Sequence, residues 1–181
     1  MFVVVANTGQ INTCMKSTHT FIKPPHGKQI QDWLKDRCFN ACFTFNLNDS
    51  RVTKAQMVRL GDLLITAGEG LVFDKRSLPR ELIMVTVAEQ SLVRGVWHGH
   101  GAAAFRSRGN LLKFVRDFNA VMFDEAYKFM NDQFADRDRL PKVTCTPMAE
   151  EESRLWWSYI NKEGFSDEDG DRFSFGLSRQ R

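Results

Sequence analysis

The chain has 181 residues, of which 43% are hydrophobic and 26% charged, and a formal net charge of +3. That is an ordinary globular mixture, enough for one domain with short appendages and a buried core. The mild basicity permits a nucleic-acid partner without demanding one, and no apolar stretch approaches the ~18 residues that a membrane span needs.

Residues 1–37 read as an N-terminal extension that the pattern does not define. Phe2–Val5 has the look of an edge strand, Thr18–Lys28, with Pro24-Pro25 and Gly27, that of a loop, and Ile30–Asp36 that of a short helix or turn. His19 and His26 fall in this extension and read as solvent-exposed. Met1–Ala6 is apolar but short and lacks a basic flank, so it does not read as a signal peptide.

Cys38–Leu47 is dense in aromatic and β-preferring residues and predicts a central strand. Asn48-Asp49-Ser50 offers caps for the next element. Thr53–Thr66 places Met57, Leu60 and Leu64 at helical spacing, and Ala67–Gly70 marks the end of that helix. Leu71-Val72-Phe73 reads as a short strand and Asp74–Arg80 as a charged loop. Leu82–Glu89 is a strong strand, followed after Gln90–Gly95 by a strand from Val96 to Phe105, the two forming a hairpin. Leu111–Gln133 is the longest helical pattern. Lys142–Thr146 reads as a strand, Pro147 fits the start of a helix, and Glu150-Glu151-Glu152 suit a helix N-terminus. That helix runs to about Lys162. Residues 166–181 mix acid, glycine and arginine and predict a loose, flexible tail. The order predicts an α+β fold, a central antiparallel sheet flanked by helices, packed on one side, with the domain spanning 38–165.

The cysteines Cys14, Cys38, Cys42 and Cys145 include no C-x-x-C pair, which argues against a zinc ribbon. Cys38 and Cys42 lie in an apolar run and read as buried thiols, consistent with an intracellular, reducing setting.

Two of the four histidines in the chain stand one residue apart, at His98 and His100. On a strand, i and i+2 share a face, so both imidazoles are presented side by side. Such a pair also occurs as merely exposed or packed histidines. Glu89, ending the preceding strand, adds a carboxylate in a hairpin, completing a three-ligand set with open positions that suits Mn²⁺ or Mg²⁺. Near the C-terminus, Tyr159 and Lys162 are i and i+3 and share a helical face. The chain contains two tyrosines against fifteen phenylalanines, so any chemistry that needs a phenol falls on Tyr127 or Tyr159. An alternative for Tyr159 and Lys162 is an aromatic packing residue beside a solvated lysine. Trp97 alternates away from the histidine face and reads as core.

Phe43-Thr44-Phe45-Asn46, His98-Gly99-His100 and Tyr159-x-x-Lys162, in that order, resemble the three motifs of the HUH replication-initiator endonucleases, the Rep proteins of rolling-circle plasmids, phages and single-stranded DNA viruses. The middle position of the pair is Gly99, where that family carries a bulky hydrophobe, which predicts weaker packing beneath the site. Conjugative relaxases resemble the chain in the histidine pair but carry their tyrosine near the N-terminus; transposases of this superfamily place it later and also match. The resemblance implies a metal-dependent enzyme that nicks and rejoins single-stranded DNA or an origin hairpin. Tyr159 is its nucleophile, Lys162 its charge-steadying partner, and Glu89, His98 and His100 its metal ligands. Host or viral helicase and polymerase are implied partners, in a bacterial cytoplasm or, for a eukaryotic virus, a nucleus; no membrane is involved. Arg94, Arg106 and Arg108 flank the histidine strand and suit phosphate contact, or serve as ordinary surface charge. A catalytically silent nucleic-acid-binding module on the same fold, and a nuclease that uses activated water, are the alternatives.

Overall fold

The computed structural model describes residues 20–21, 39–72, 81–105, 108–134, 139–160 and 173–179. Six strands form one sheet: β1 (Thr20–Phe21), β2 (Ala41–Asn46), β3 (Glu81–Gln90), β4 (Trp97–Phe105), β5 (Lys142–Pro147) and β6 (Phe173–Arg179). Their order is β1-β6-β3-β4-β2-β5, and each described pairing is antiparallel. Three helices complete the described elements: α1 (Lys54–Val72), α2 (Arg108–Phe134) and α3 (Glu150–Ile160).

Strand alternation divides the core in two. On one face Phe43, Phe45, Met84 and Ala103 join Leu60 and Leu64 of α1 and Phe118 and Met122 of α2. On the other, Ile83, Val85, Val87 and Ala102 meet Trp156 and Trp157 of α3. The helices therefore cover both faces rather than the one side expected. Trp97 packs against the α1/α2 core, as its place in the alternation predicts.

Three boundaries differ from expectation for identifiable reasons. Helix α1 continues through Gly68 and Gly70 to Val72, so Ala67–Gly70 does not end it and Leu71-Val72 is not a strand; Phe73 lies outside the described residues. A Cβ on Gly61 would lie 2.4 Å from Thr86 Oγ1, and one on Gly68 2.6 Å from Met84 Sδ. These glycines sit seven residues apart on one helical face and let α1 settle onto β3, which is a packing role and not a stop signal. The helix is capped by Thr53, not by Asn48–Ser50. Gln56 N donates to Thr53 Oγ1 at 3.3 Å and Thr53 N donates to Gln56 Oε1 at 2.9 Å, a reciprocal capping box. Pro147 ends β5, and α3 starts at Glu150.

The segment expected as a loose tail contributes β6. Phe173–Arg179 pairs with β3 from Val87↔Phe173 to Glu81↔Arg179 and with β1 on its other side. Phe173, Phe175 and Leu177 alternate with Ser174 and Ser178, a strand pattern that the acidic, glycine-containing stretch before it obscures. The sheet thus draws on residues from both segments placed outside 38–165. The expected edge strand at Phe2–Val5, the turn at Ile30–Asp36, Cys14, Cys38, His19 and His26 lie outside the described residues.

The free edge of β5 is covered by a side chain. Asn119 on α2 accepts from Cys145 N at 2.6 Å through Oδ1 and donates to Cys145 O at 2.8 Å through Nδ2, mimicking the next strand and blunting the edge. Burial pushes the Cys145 thiol up to about 12, so it packs as an inert apolar group; Cys42 is only half-buried, its Sγ 3.2 Å from Thr146 Oγ1.

Asp49 fixes the turn after β2. It is 1% exposed, accepts from Arg51 N at 2.9 Å, and pairs with Arg51 Nη2 at 2.5 Å and Arg139 Nη1 at 3.3 Å. The hydrogen bonds from Arg51 come first among the causes that hold its carboxyl down from 3.8 to about 2. Because the folded-state value is the lower one, the contribution is present above the ordinary value and lost as pH falls from 3.8 toward 2. Allowing for the half-exposed arginines, Asp49→Asn should cost about 1–2 kcal/mol at neutral pH. Urea unfolding should show that deficit shrinking as the pH is taken down through this window.

Candidate metal centre

The β3–β4 hairpin builds the site. Its register sets Glu89 opposite His98 and Val87 opposite His100, so Glu89, His98 and His100 share the face that α3 covers. Glu89 and His100 are buried, 8% and 7% exposed, while His98 is half-buried. One oxygen and two ring nitrogens from this trio lie within 4.8 Å of one another, and Glu89 Oε2 stands 3.4 Å from His100 Nε2. The imidazoles meet edge to face with centroids 4.8 Å apart. Ligands about 2.1 Å from an octahedral ion lie about 3 Å apart, a spacing that small side-chain rotations reach from here. One carboxylate and two imidazoles form a mixed oxygen–nitrogen donor set that accepts Mn²⁺, Mg²⁺, Zn²⁺ or Fe²⁺.

The strand tolerates this arrangement because the opposite face is filled from the neighbouring strand. Phe45 pairs with Gly99 and Phe43 with Gly101. A Cβ on Gly99 would stand 2.0 Å from Phe45 Cζ, and one on Gly101 2.2 Å from Phe43 Cζ. The rings therefore lie over the glycines where side chains would otherwise be. The weaker packing expected beneath Gly99 is absent: Phe45 supplies the bulk. Thr44, between these two phenylalanines, points to the site face and pairs with His100, so Phe-Thr-Phe serves core and site at once.

Helix α3 brings the phenol. Ser153 Oγ accepts from Phe39 N at 2.9 Å, and Trp156 Nε1 donates to Gly101 O at 3.0 Å. With Ser153 and Trp156 fixed at three-residue spacing, Tyr159 falls on the same face one turn on. Its ring lies 5.2 Å from the His100 ring, edge to face, and stacks on Trp156 at 5.5 Å. At 42% exposure it keeps an open side to solvent. Trp156, 5.6 Å from His100, is a site residue that the sequence reading passed over; the spacing 153, 156, 159 was the signal for it.

Of the other expected site residues, Arg94 is exposed in the β3–β4 turn and Arg108 opens α2, while Lys162 and Arg106 lie outside the described residues. Tyr127 stands on α2 and packs against the α1/α2 core, across the sheet from the histidines.

Replacing His98 by Ala removes one donor and leaves β4 pairing intact. Mn²⁺ affinity, read by calorimetry, should fall by more than about a hundredfold, beyond the loss typical for a supporting partner of a ligand, with thermal stability little changed.

The molecule is thus an α+β protein whose antiparallel sheet presents a Glu–His–His group beside a tyrosine. Among known proteins, no family model matches the chain, and no curated sequence or solved structure matches it either. Among the described residues, no helix is long and apolar enough to cross a membrane.

Proposed function

We propose that this protein is a metal-dependent endonuclease and strand transferase that nicks and rejoins single-stranded DNA through a covalent 5′-phosphotyrosine. The observation that carries the reading is the Tyr159 ring 5.2 Å from His100, itself within ligand reach of Glu89 and His98. A divalent ion held by Glu89, His98 and His100 would supply Lewis acidity to a phosphate oxygen. Tyr159 Oη loses its proton to solvent and attacks phosphorus. The bond from phosphorus to the 3′ oxygen breaks, that oxygen takes a proton, and the 5′ phosphate stays on Tyr159. Attack by a 3′-OH reverses each of these changes, and the phosphotyrosine conserves the energy of the phosphodiester. Lys162 steadies the phenolate or phosphate charge. Such an activity suits an intracellular replication initiator of a plasmid, phage or small DNA virus, working with a helicase and polymerase.

Incubating the protein with a pool of single-stranded DNA and Mn²⁺ tests this. The expected product is a protein–DNA adduct that survives SDS, together with a fragment ending in a free 3′-OH. Cleavage without an adduct would assign the site to activated water, and metal-independent binding without cleavage would assign it to a silent binding module.

A further inference from the structure

The turn between β3 and β4 exposes two adjacent aliphatic side chains almost completely, Leu92 at 95% and Val93 at 93%. Single exposed hydrophobes are commonplace; two in succession on a fixed loop are not. The loop is held at four points. Ser91 N donates to Val96 O at 3.0 Å, Gly95 N to Ser91 O at 2.7 Å, Arg94 N to Ser91 Oγ at 3.3 Å, and Gln90 Nε2 to Gly95 O at 2.8 Å. Gly95, at φ 65°, takes the left-handed conformation that closes the turn. The apolar pair is therefore held in water on an ordered backbone.

Leu92 is three residues beyond Glu89, whose partner is His98, so at ~3.3 Å per residue the backbone of Leu92 stands about 10 Å from that of Glu89, the nearest of the candidate metal ligands along its strand. That is about three steps of stacked bases at ~3.4 Å each. We propose that Leu92 and Val93 form a wedge that enters the base stack of partly paired DNA beside the scissile phosphate, while Arg94 meets the backbone. This rests on the nickase reading for the identity of the polymer and adds to it the two side chains that open the base stack at the cut. Aliphatic side chains inserted at a base step unstack it and kink the duplex, which would leave the next phosphate accessible to Tyr159. Arg94 is the one charged side chain between Ser91 and Val96, which favours a polyanion. Two side chains cover far less than the ~800 Å² per partner of a stable protein interface.

The test uses the full chain carrying Tyr159→Phe, so that nothing is cut, and sequence-randomised DNA hairpins with a fluorescent aminopurine in the pair that closes the stem. With the tip intact, fluorescence should rise severalfold on binding as that base unstacks. Adding Leu92→Ser and Val93→Ser should reduce the rise about tenfold and change affinity for unpaired DNA less than twofold. Both residues are solvent-exposed, so a matching thermal melt verifies the fold. No rise with the intact tip, or an equal rise with the serine variant, would overturn the proposal. A serine variant that alters only the oligomeric state would also overturn it, assigning the tip to contacts between copies. The fluorescence needs no cleavage, so failure of the adduct assay on the same hairpins would count against the nickase reading alone.

Discussion

Tyr159→Phe should abolish the SDS-stable adduct and lower cleavage by at least about a thousandfold, the scale on which enzymes lose a nucleophile. The substitution removes one oxygen. The ring that remains keeps its stack on Trp156 and its edge-to-face contact with His100, so Mn²⁺ affinity and thermal stability should stay close to those of the parent. That separation is the diagnostic. A tyrosine whose only role is to pack would tolerate phenylalanine without loss of cleavage. Tyr127→Phe supplies the control: it lies across the sheet in the α1/α2 core, so the adduct should form as before.

The largest stability effect is expected at Gly99. Adding the side chain of valine there puts a Cβ within 2.0 Å of Phe45 Cζ, and neither ring nor strand can yield, because Phe45 is 1% exposed and its strand is paired on both sides. Overpacking of this kind costs at least about 1–3 kcal/mol, and a contact this short should exceed that range. Phe45→Ala alone leaves a cavity and should cost about 3–5 kcal/mol. Combined, the two changes compensate, since the valine enters the space the ring vacated. The double variant should therefore be more stable than the sum of the single effects predicts, by a coupling of about 1–3 kcal/mol in denaturant unfolding. Strict additivity would mean that the ring does not cover Gly99.

Much of this architecture is readable from local pattern. β2 declares itself by alternation and β3 by a continuous apolar run, α2 by its long helical period, and the juxtaposition of Glu89 with His98 and His100 follows from a hairpin of the expected register. What escaped the sequence depends on partners far along the chain. Gly68 carries the same composition signal whether it ends a helix or lets it approach Met84, and only the surface opposite decides between them. Gly99 reads as a weak point until Phe45, from a different strand, is placed over it. β6 has an alternating pattern of its own, but the acidic, glycine-containing stretch before it masks that pattern, and its partner β3 lies far back in the chain. Trp156 shares its face with Tyr159, but its role depends on a carbonyl of β4, Gly101 O. Motif order implies the convergence of the phenol with the imidazoles; α3 brings it about through two anchoring hydrogen bonds, at Ser153 and Trp156.

The most direct measurement is to identify the amino acid that carries DNA after reaction with Mn²⁺ and single-stranded substrate, by nuclease trimming, proteolysis and mass spectrometry of the adduct. A nucleotide 5′-phosphate is expected on Tyr159 and none on Tyr127. A nucleotide on any other side chain, or strand cleavage with unmodified Tyr159 throughout, would contradict it.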